Sequence, residues 1–330
     1  MNNLKIITIG GSTEDISVFT EEGVLIDNKE DILRQNLLAF EFGAKVKVNK
    51  SKSSFGGGAA NAAACLSSLG FNVSILTAVG SDDRGVRIVK NLKDFGVKSK
   101  LIKKIPGESS FSFILVGPEN EHIVFSDRAA NNHLRIEDND LRLISSASWL
   151  YVSSLSGSWQ DVLNKISSTN KAKIVWNPGG VQLKAGIKVL KKYLERTYVL
   201  SLNKDEAIEL VLSNEYYRGK DHKFLNNTKN LLHVLKEWGP QIVVITKGQN
   251  GAEVYDGTNY YSEKAIKAKR TSDTTGVGDA FASTFLAGLV LYKDDIKKAL
   301  KLAMYNAASV IEMEGAQRGY LTKKKIPKNL

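Results

Sequence analysis

FGGGAANAAACLSSLG, Phe55 to Gly70, is the stretch on which the reading of the whole chain turns. Three successive glycines permit a tight change of direction, and the alanines, serines and cysteine after them form a helix thin enough to press against a neighbouring layer. The β-branched and apolar run Val73 to Val79 follows at once. A turn, a small-residue helix and a strand in that order are the start of an α/β unit, in which close helix packing on a sheet needs short side chains.

Outward from this stretch the same rhythm recurs. Leu4 to Ile9, Val73 to Val79, Trp149 to Val152, Ile174 to Trp176, Tyr198 to Leu200 and Ile242 to Thr246 are short apolar runs without polar alternation. Runs of that kind predict strands buried on both faces. Amphipathic stretches separate them: Ala59 to Leu69, Gly85 to Phe95, Trp159 to Ser167, Leu183 to Leu194, Lys204 to Leu212 and Phe224 to Trp238. The expectation is an α/β fold with a mainly parallel central sheet flanked by helices. Gly276 to Met313 reads as two long helices divided near Tyr292 to Asp295.

Two segments, approximately 16–54 and 101–128, depart from this pattern. Ala44, Val46 and Val48 alternate with Lys45, Lys47 and Asn49, and Pro106-Gly107 and Gly117-Pro118 punctuate three strand-like runs. Alternation implies one wet face, so these segments predict a small β-sheet lid over one end of the main sheet, within a single domain covering 1–330. Phe111 and Phe113 fall on one face of that lid, placed either to stack on a base or to pack beneath the sheet.

The chain has 330 residues, 42% of them hydrophobic and 25% charged, with a formal net charge of +11. These values fit an ordinary globular protein. The lysines are scattered and only Lys323 to Lys325 form a run of three, so the charge predicts a solvated surface and not a nucleic-acid partner. One cysteine, Cys65, precludes an intrachain disulfide. With no leader-like N-terminus and no apolar run near the ~18 residues of a span, the expected place is the cytoplasm, with no membrane partner.

The chemistry concentrates in DTTGVGDAFAST, Asp273 to Thr284. Thr274, Thr275 and Asp279 are good early-helix residues, and a plain helix start accounts for them individually. Free N-H groups at that helix start, with glycines that let a ligand approach closely, also make an anion hole. A carboxylate there repels the anion unless it takes a proton from the nucleophile that attacks it. Phosphoryl transfer to an alcohol has that need. In the first stretch Asn61, in the opening turn of its helix, and Asp15, just beyond the first strand, suit a polyhydroxyl ligand or are simple turn and loop residues. GxxxxGK[ST] and GxGxxG are absent, and His122, His133, His222 and His233 lack metal-site spacing.

GGGAAN before a small-residue helix and DTTGVGDAF near the C-terminus together resemble the two signatures of the ribokinase-like, or phosphofructokinase B, carbohydrate and nucleoside kinases. SLNKDEAIEL (Ser201 to Leu210), ITKGQNGAEVY (Ile245 to Tyr255) and GAQRG (Gly315 to Gly319) add family-like elements in the same order. The resemblance implies that Asp279 is the catalytic base and that Gly276, Val277 and Gly278 form the anion hole. It implies that Asp15, Gly57, Gly58 and Asn61 hold the acceptor; in FSDRAANNHL, Phe125 to Leu134, Arg128 is placed to reach a substrate phosphate or a lid partner, or is a plain exposed arginine. Asn203, Lys247, Gly248, Gly251 and Asn306 would border the nucleotide. Glu206 would act on Mg²⁺ through water, and Asp273, Thr275 and Gly315 would form a site for a monovalent cation such as K⁺.

The implied activity is ATP-dependent transfer of the γ-phosphoryl group to a hydroxymethyl group of a small sugar. The alternatives are a nucleoside acceptor and a non-catalytic binder of the same fold. A homodimer through the lid is the implied assembly. Two departures bear on this. Ribokinases carry lysine in GGKGAN where this chain has glycine, which disfavours ribose, and Glu14-Asp15 stands one residue closer to the preceding Gly-Ser than in ribokinases.

Overall fold

Six parallel strands form the heart of the molecule in the computed structural model, which describes residues 4–27, 36–117, 122–169 and 171–327. They are Asn72–Leu76, Lys5–Ile9, Trp149–Val152, Lys173–Trp176, Val199–Asn203 and Ile242–Thr246, in that spatial order. Ala252–Tyr255 and Tyr260–Glu263 extend the sheet antiparallel beyond the last of them. The unpatterned apolar runs are buried on both sides because helices cover both faces. One face packs Leu150, Trp176, Leu183, Leu190 and Leu235, and the other packs Ala59, Ala63, Leu66, Phe281 and Phe285.

The predicted elements recur with shifts that have physical causes. Val73 to Val79 is not one strand: the chain leaves the main sheet at Thr77, and Ala78–Gly80 pairs with Lys103–Ile105 in a separate two-stranded sheet. Phe224 to Trp238 divides into His222–Asn226 and Thr228–Glu237, because the Asn227 side chain accepts from the Lys229 amide and caps the second helix. The C-terminal pair is Val277–Leu291 and Ile296–Ile311, with the break between them where it was expected.

A four-stranded sheet lies apart from the main one, in the order His122–Asp127, Phe111–Val116, Thr13–Phe19 and Lys50–Gly56. Thr13–Phe19 starts before position 16, and 101–110 contributes none of its strands, because Lys103–Ile105 has its partner elsewhere. Val24–Asp27 pairs separately with Asn36–Ala39, and residues 118–121 at the tip lie outside the described residues, as do 28–35.

Period-two alternation decides what this sheet presents to each side. Glu14 turns toward the helix Asp83–Asp94, where Arg87 donates to it at 3.0 and 2.8 Å and Arg84 stands at 3.3 Å. Phe111 lies on the same face beneath the Arg84 guanidinium, and Phe113 packs on Phe125. Neither phenylalanine is placed to stack a base. Asp15, Ser17, Phe19, Ile114 and Val116 face the opposite way, into a cavity.

Candidate active site

In a parallel sheet the loops at the carboxyl ends of the strands share one edge, and a crevice opens where the strand order reverses. Here the reversal lies between Lys5–Ile9 and Trp149–Val152. Gly10 and Ser153 follow those strands directly, and they touch: a Cβ on Gly10 would stand 2.2 Å from Ser153 Oγ. Gly58 lies on top of them, where a Cβ would meet Ser153 Cβ at 2.8 Å and Asp279 Oδ1 at 3.1 Å. The two glycine-opened helices therefore converge at the switch point with Asp279 above it. Position 58 has no room for a lysine.

Asp279 is the third residue of Val277–Leu291, whose N-cap Gly276 adopts φ +74°. A Cβ at Gly276 would stand 2.8 Å from the Ala316 carbonyl oxygen, so both the turn and the packing require glycine. Among the described residues the amides of Gly278 and Asp279 have no acceptor, whereas the Val277 amide makes a 3.4 Å turn bond to Thr274 O. The Gly276 amide likewise has no acceptor among the described residues, so two of the predicted trio, Gly276 and Gly278, carry unpaired donors and Asp279 adds a third. Burial pushes the Asp279 carboxyl above its ordinary range, and a hydrogen bond from Asn61 opposes the rise.

That bond gives Asn61 a partner beyond the acceptor contact expected of it. Its Nδ2 donates to Asp279 Oδ2 at 2.8 Å, its Oδ1 accepts from Gln317 Nε2 at 3.1 Å, and the residue is 3% exposed. It holds the carboxylate with one N-H while its oxygen is held by Gln317. The assignment of Asn306 to the nucleotide is corrected by its burial. It is fully buried, donating to Thr284 Oγ1 at 2.6 Å and accepting from the Leu321 amide at 2.7 Å, so it faces no ligand. Its polar character suggested a contact; its burial on a helix of 16 residues is what sequence could not show.

Asp15, 6% exposed, accepts from Thr13 Oγ1 at 3.0 Å and lines the cavity. Burial pushes its carboxyl up; hydrogen bonds from Ser112 and Thr13 and the positive charge of Arg128 oppose this, while Asp273 reinforces it. The neighbouring acid, Glu14, turns away from the cavity to its pairing with Arg87. Gly57, at φ +90°, seats the helix start against the Gly11 carbonyl, and a Cβ there would come within 2.5 Å of it. Arg128 is exposed at the start of the short helix Ala129–His133.

The cavity measures about 710 Å³ and lies between the small sheet and the segments 271–275 and 314–318. Asp273 joins those two segments, accepting from the Thr275 amide at 2.8 Å and from the Gly315 amide at 2.9 Å, so the three residues predicted as a cation site do meet. Asp279 and Asn61 do not line the cavity. They adjoin it through Ala316, which does line it and against which Gly276 packs.

Farther along the strand ends, Asn203 and Glu206 form a reciprocal cap: Asn203 Oδ1 accepts from the Glu206 amide at 2.8 Å and Glu206 Oε2 from the Asn203 amide at 2.9 Å. Burial raises the Glu206 carboxyl, the amide bond opposes it, and the charge of Asp279 adds to the rise. Lys247 opens the next loop, but its ammonium is paired with Glu253 and is not a free cation. Gly248 and Gly251 take positive φ in that turn, and a Cβ at Gly251 would lie 2.0 Å from Glu263 O.

The family model described as pfkB family carbohydrate kinase matches residues 24–323. The chain belongs to that family. It is a kinase, a phosphotransferase with an alcohol group as acceptor, in a family that uses ATP. It is 26% identical over 279 residues to an ATP-dependent ribose-1-phosphate kinase of Halopiger xanaduensis, covering 84% of this chain and 87% of that protein. It is 23% identical over 291 residues to a nucleoside kinase of Methanocaldococcus jannaschii, covering 86% and 88%. The structure of Arabidopsis thaliana ribokinase complexed with ribose and ATP superposes with a TM-score of 0.82 at 18% identity, covering 98% of this chain and 97% of that one. That likeness establishes the ribokinase fold, as the topology above describes it.

Proposed function

We propose that this pfkB-family member transfers the γ-phosphoryl group of ATP to a hydroxymethyl group of a small sugar, with Asp279 as the base. The observation that carries the reading is the pairing of Asp279 with unpaired amides at its own helix start, directly over the switch point. Asp279 takes the hydroxyl proton as the oxygen attacks phosphorus, and the Gly278 and Asp279 amides receive charge spreading over the transferred group. Positioning supplies most of the barrier reduction. Asp15, supported by Thr13, accepts hydrogen bonds from the acceptor, and closure of the small sheet as a lid keeps water from competing for the phosphoryl group.

A sugar is favoured over a nucleoside by the cavity wall. Phe19 is the one aromatic side chain among the described residues lining it, and Lys50 and Lys52 stand over its ring at 5.3 and 5.9 Å. No second ring faces it to sandwich a base.

Among the described residues no three His, Cys, Asp or Glu side chains converge as a metal cage. That fits Mg²⁺ held mainly by phosphates and water, with one carboxylate, Glu206, orienting a bound water. The ion would supply neutralisation of phosphate charge. Asp273, which forms no direct salt bridge among the described residues, suits a monovalent cation beside Thr275 and Gly315.

A panel of pentoses, hexoses, their phosphates and common nucleosides, followed by acceptor-dependent ATP consumption, tests the reading. Turnover with a sugar supports it. Turnover with nucleosides alone would replace it with the nucleoside assignment.

A further inference from the structure

Asn61 does not act alone on Asp279. Gln317 Nε2 donates to Asn61 Oδ1 at 3.1 Å, and Asn91 Nδ2 donates to Gln317 Oε1 at 2.6 Å. Three amides from the helix Asp83–Asp94, the C-terminal GAQRG turn and the first glycine-opened helix form one chain that ends on the carboxylate. An ionised carboxylate only accepts, so Asn61 must offer it N-H; its oxygen then faces Gln317, which must also offer N-H, and the same holds for Asn91. Every link has one orientation compatible with the next. Tyr320 secures the frame, its hydroxyl reaching the backbone oxygens of Asn61 at 3.1 Å and Ala316 at 2.8 Å.

We infer that Gln317 is a positioning residue for phosphoryl transfer, setting the polarity of the Asn91–Gln317–Asn61 amide chain so that it donates to Asp279. The inference rests on the reading of Asp279 as the base. The consequence is mechanical and electrostatic. Asn61 cannot turn its oxygen to the base without losing the Gln317 bond, so the base keeps a donor that steadies its ionised form and its direction. The other titratable groups near Asp279 are Cys65 on the helix of Asn61, Tyr151 on the central strand, Tyr320 and Glu206. Burial raises the first three, which stay protonated at neutral pH. Glu206 alone shares the acid range with the base.

Gln317→Glu keeps size and replaces the donor with an acceptor, which forces Asn61 to present its oxygen to Asp279. Expected are a fall in kcat of about tenfold at neutral pH, an acid limb of the pH–rate profile moved up by about one unit, and unchanged ATP affinity by calorimetry. Glu206→Gln serves as the control for the neighbouring carboxyl, and its own acid limb should stay at or below the wild-type position. In the Asp279→Asn background the Gln317 change should leave the residual rate as it is. Gln317 is only 8% exposed, so Asn91→Asp, at a half-buried site, inverts the same chain from its outer end and should move the limb in the same direction. Wild-type kcat and an unmoved acid limb in folded Gln317→Glu, or in Asn91→Asp if the former does not fold, overturn the inference while Asp279→Asn remains inactive. Full activity of Asp279→Asn takes down the base and the inference together.

Discussion

Asp279 is held where its charge is costly, and that cost is the condition for the proposed catalysis. Its folded-state proton affinity is raised by burial, so between the ordinary carboxylate range and the raised value the folded state binds more protons than the unfolded chain. Stability therefore falls as pH rises through that window, and the penalty is fully present above it. Asp279→Asn should lower kcat by roughly 10²–10⁴ with nucleotide binding retained. It should also raise the melting temperature at neutral pH, with the gain vanishing toward acid pH; a melting temperature lowered by the substitution at neutral pH contradicts the burial argument. The role proposed for this carboxylate was suggested by the sequence because a charge at a helix start opened by glycines has few other uses. That of Asn61 was not: a ligand contact and a brace for the base require the same residue in the same turn, and only the packing of Gln317, distant in sequence, separates them.

At the scale of elements, the two glycines that frame Val277 do different work. Gly276 has φ +74° and no room beside Ala316, whereas a Cβ at Gly278 meets nothing within 4 Å and its φ is not positive. Gly276→Ala should therefore destabilise the fold by about 1–3 kcal/mol through strain and displacement of the 315–317 turn. Gly278→Ala should keep the melting temperature but weaken kcat/KM for ATP, because its methyl would stand beside the unpaired amides. Equal losses of stability in both variants contradict this division. The small sheet is anchored by Glu14, whose carboxyl is held below its ordinary range chiefly by the hydrogen bonds from Arg87, against a burial penalty. Its stabilisation is present above the unfolded-state value and is lost as pH falls through the lower folded-state value. Glu14→Gln should cost roughly 1–3 kcal/mol at neutral pH, with the difference from wild type shrinking in acid, as denaturant melts across pH will show. The glycine spacing announced the turns, but which acid of Glu14-Asp15 meets the cavity depended on strand register, which alternation alone leaves open by one residue.

For the whole molecule, the parallel sheet was readable because apolar runs without alternation have few other homes, and the switch point followed from strand order. The limits of the small sheet were less readable: Lys103–Ile105 resembles a lid strand but finds its partner in Ala78–Gly80, a pairing set by where the chain leaves the main sheet at Thr77. If the small sheet closes over the acceptor, sugar should slow amide exchange across residues 111–116 and 122–127, and unchanged exchange at saturation would count against closure. Val124 and Phe125 are 48% and 55% exposed on its edge strand, a suitable surface for a second copy of the chain. Phe125→Glu should then shift sedimentation from dimer to monomer, and a monomeric wild type would remove that proposal.

The central claim is that a buried carboxylate at a helix start delivers an alcohol to the γ-phosphoryl group. It is tested most directly by following γ-labelled ATP with the sugar panel in wild type and in Asp279→Asn. Label is expected in a sugar phosphate ester with the wild type, with near loss of transfer in the variant while ATP still binds. Transfer at the wild-type rate by Asp279→Asn, or no transfer to any sugar, would contradict it.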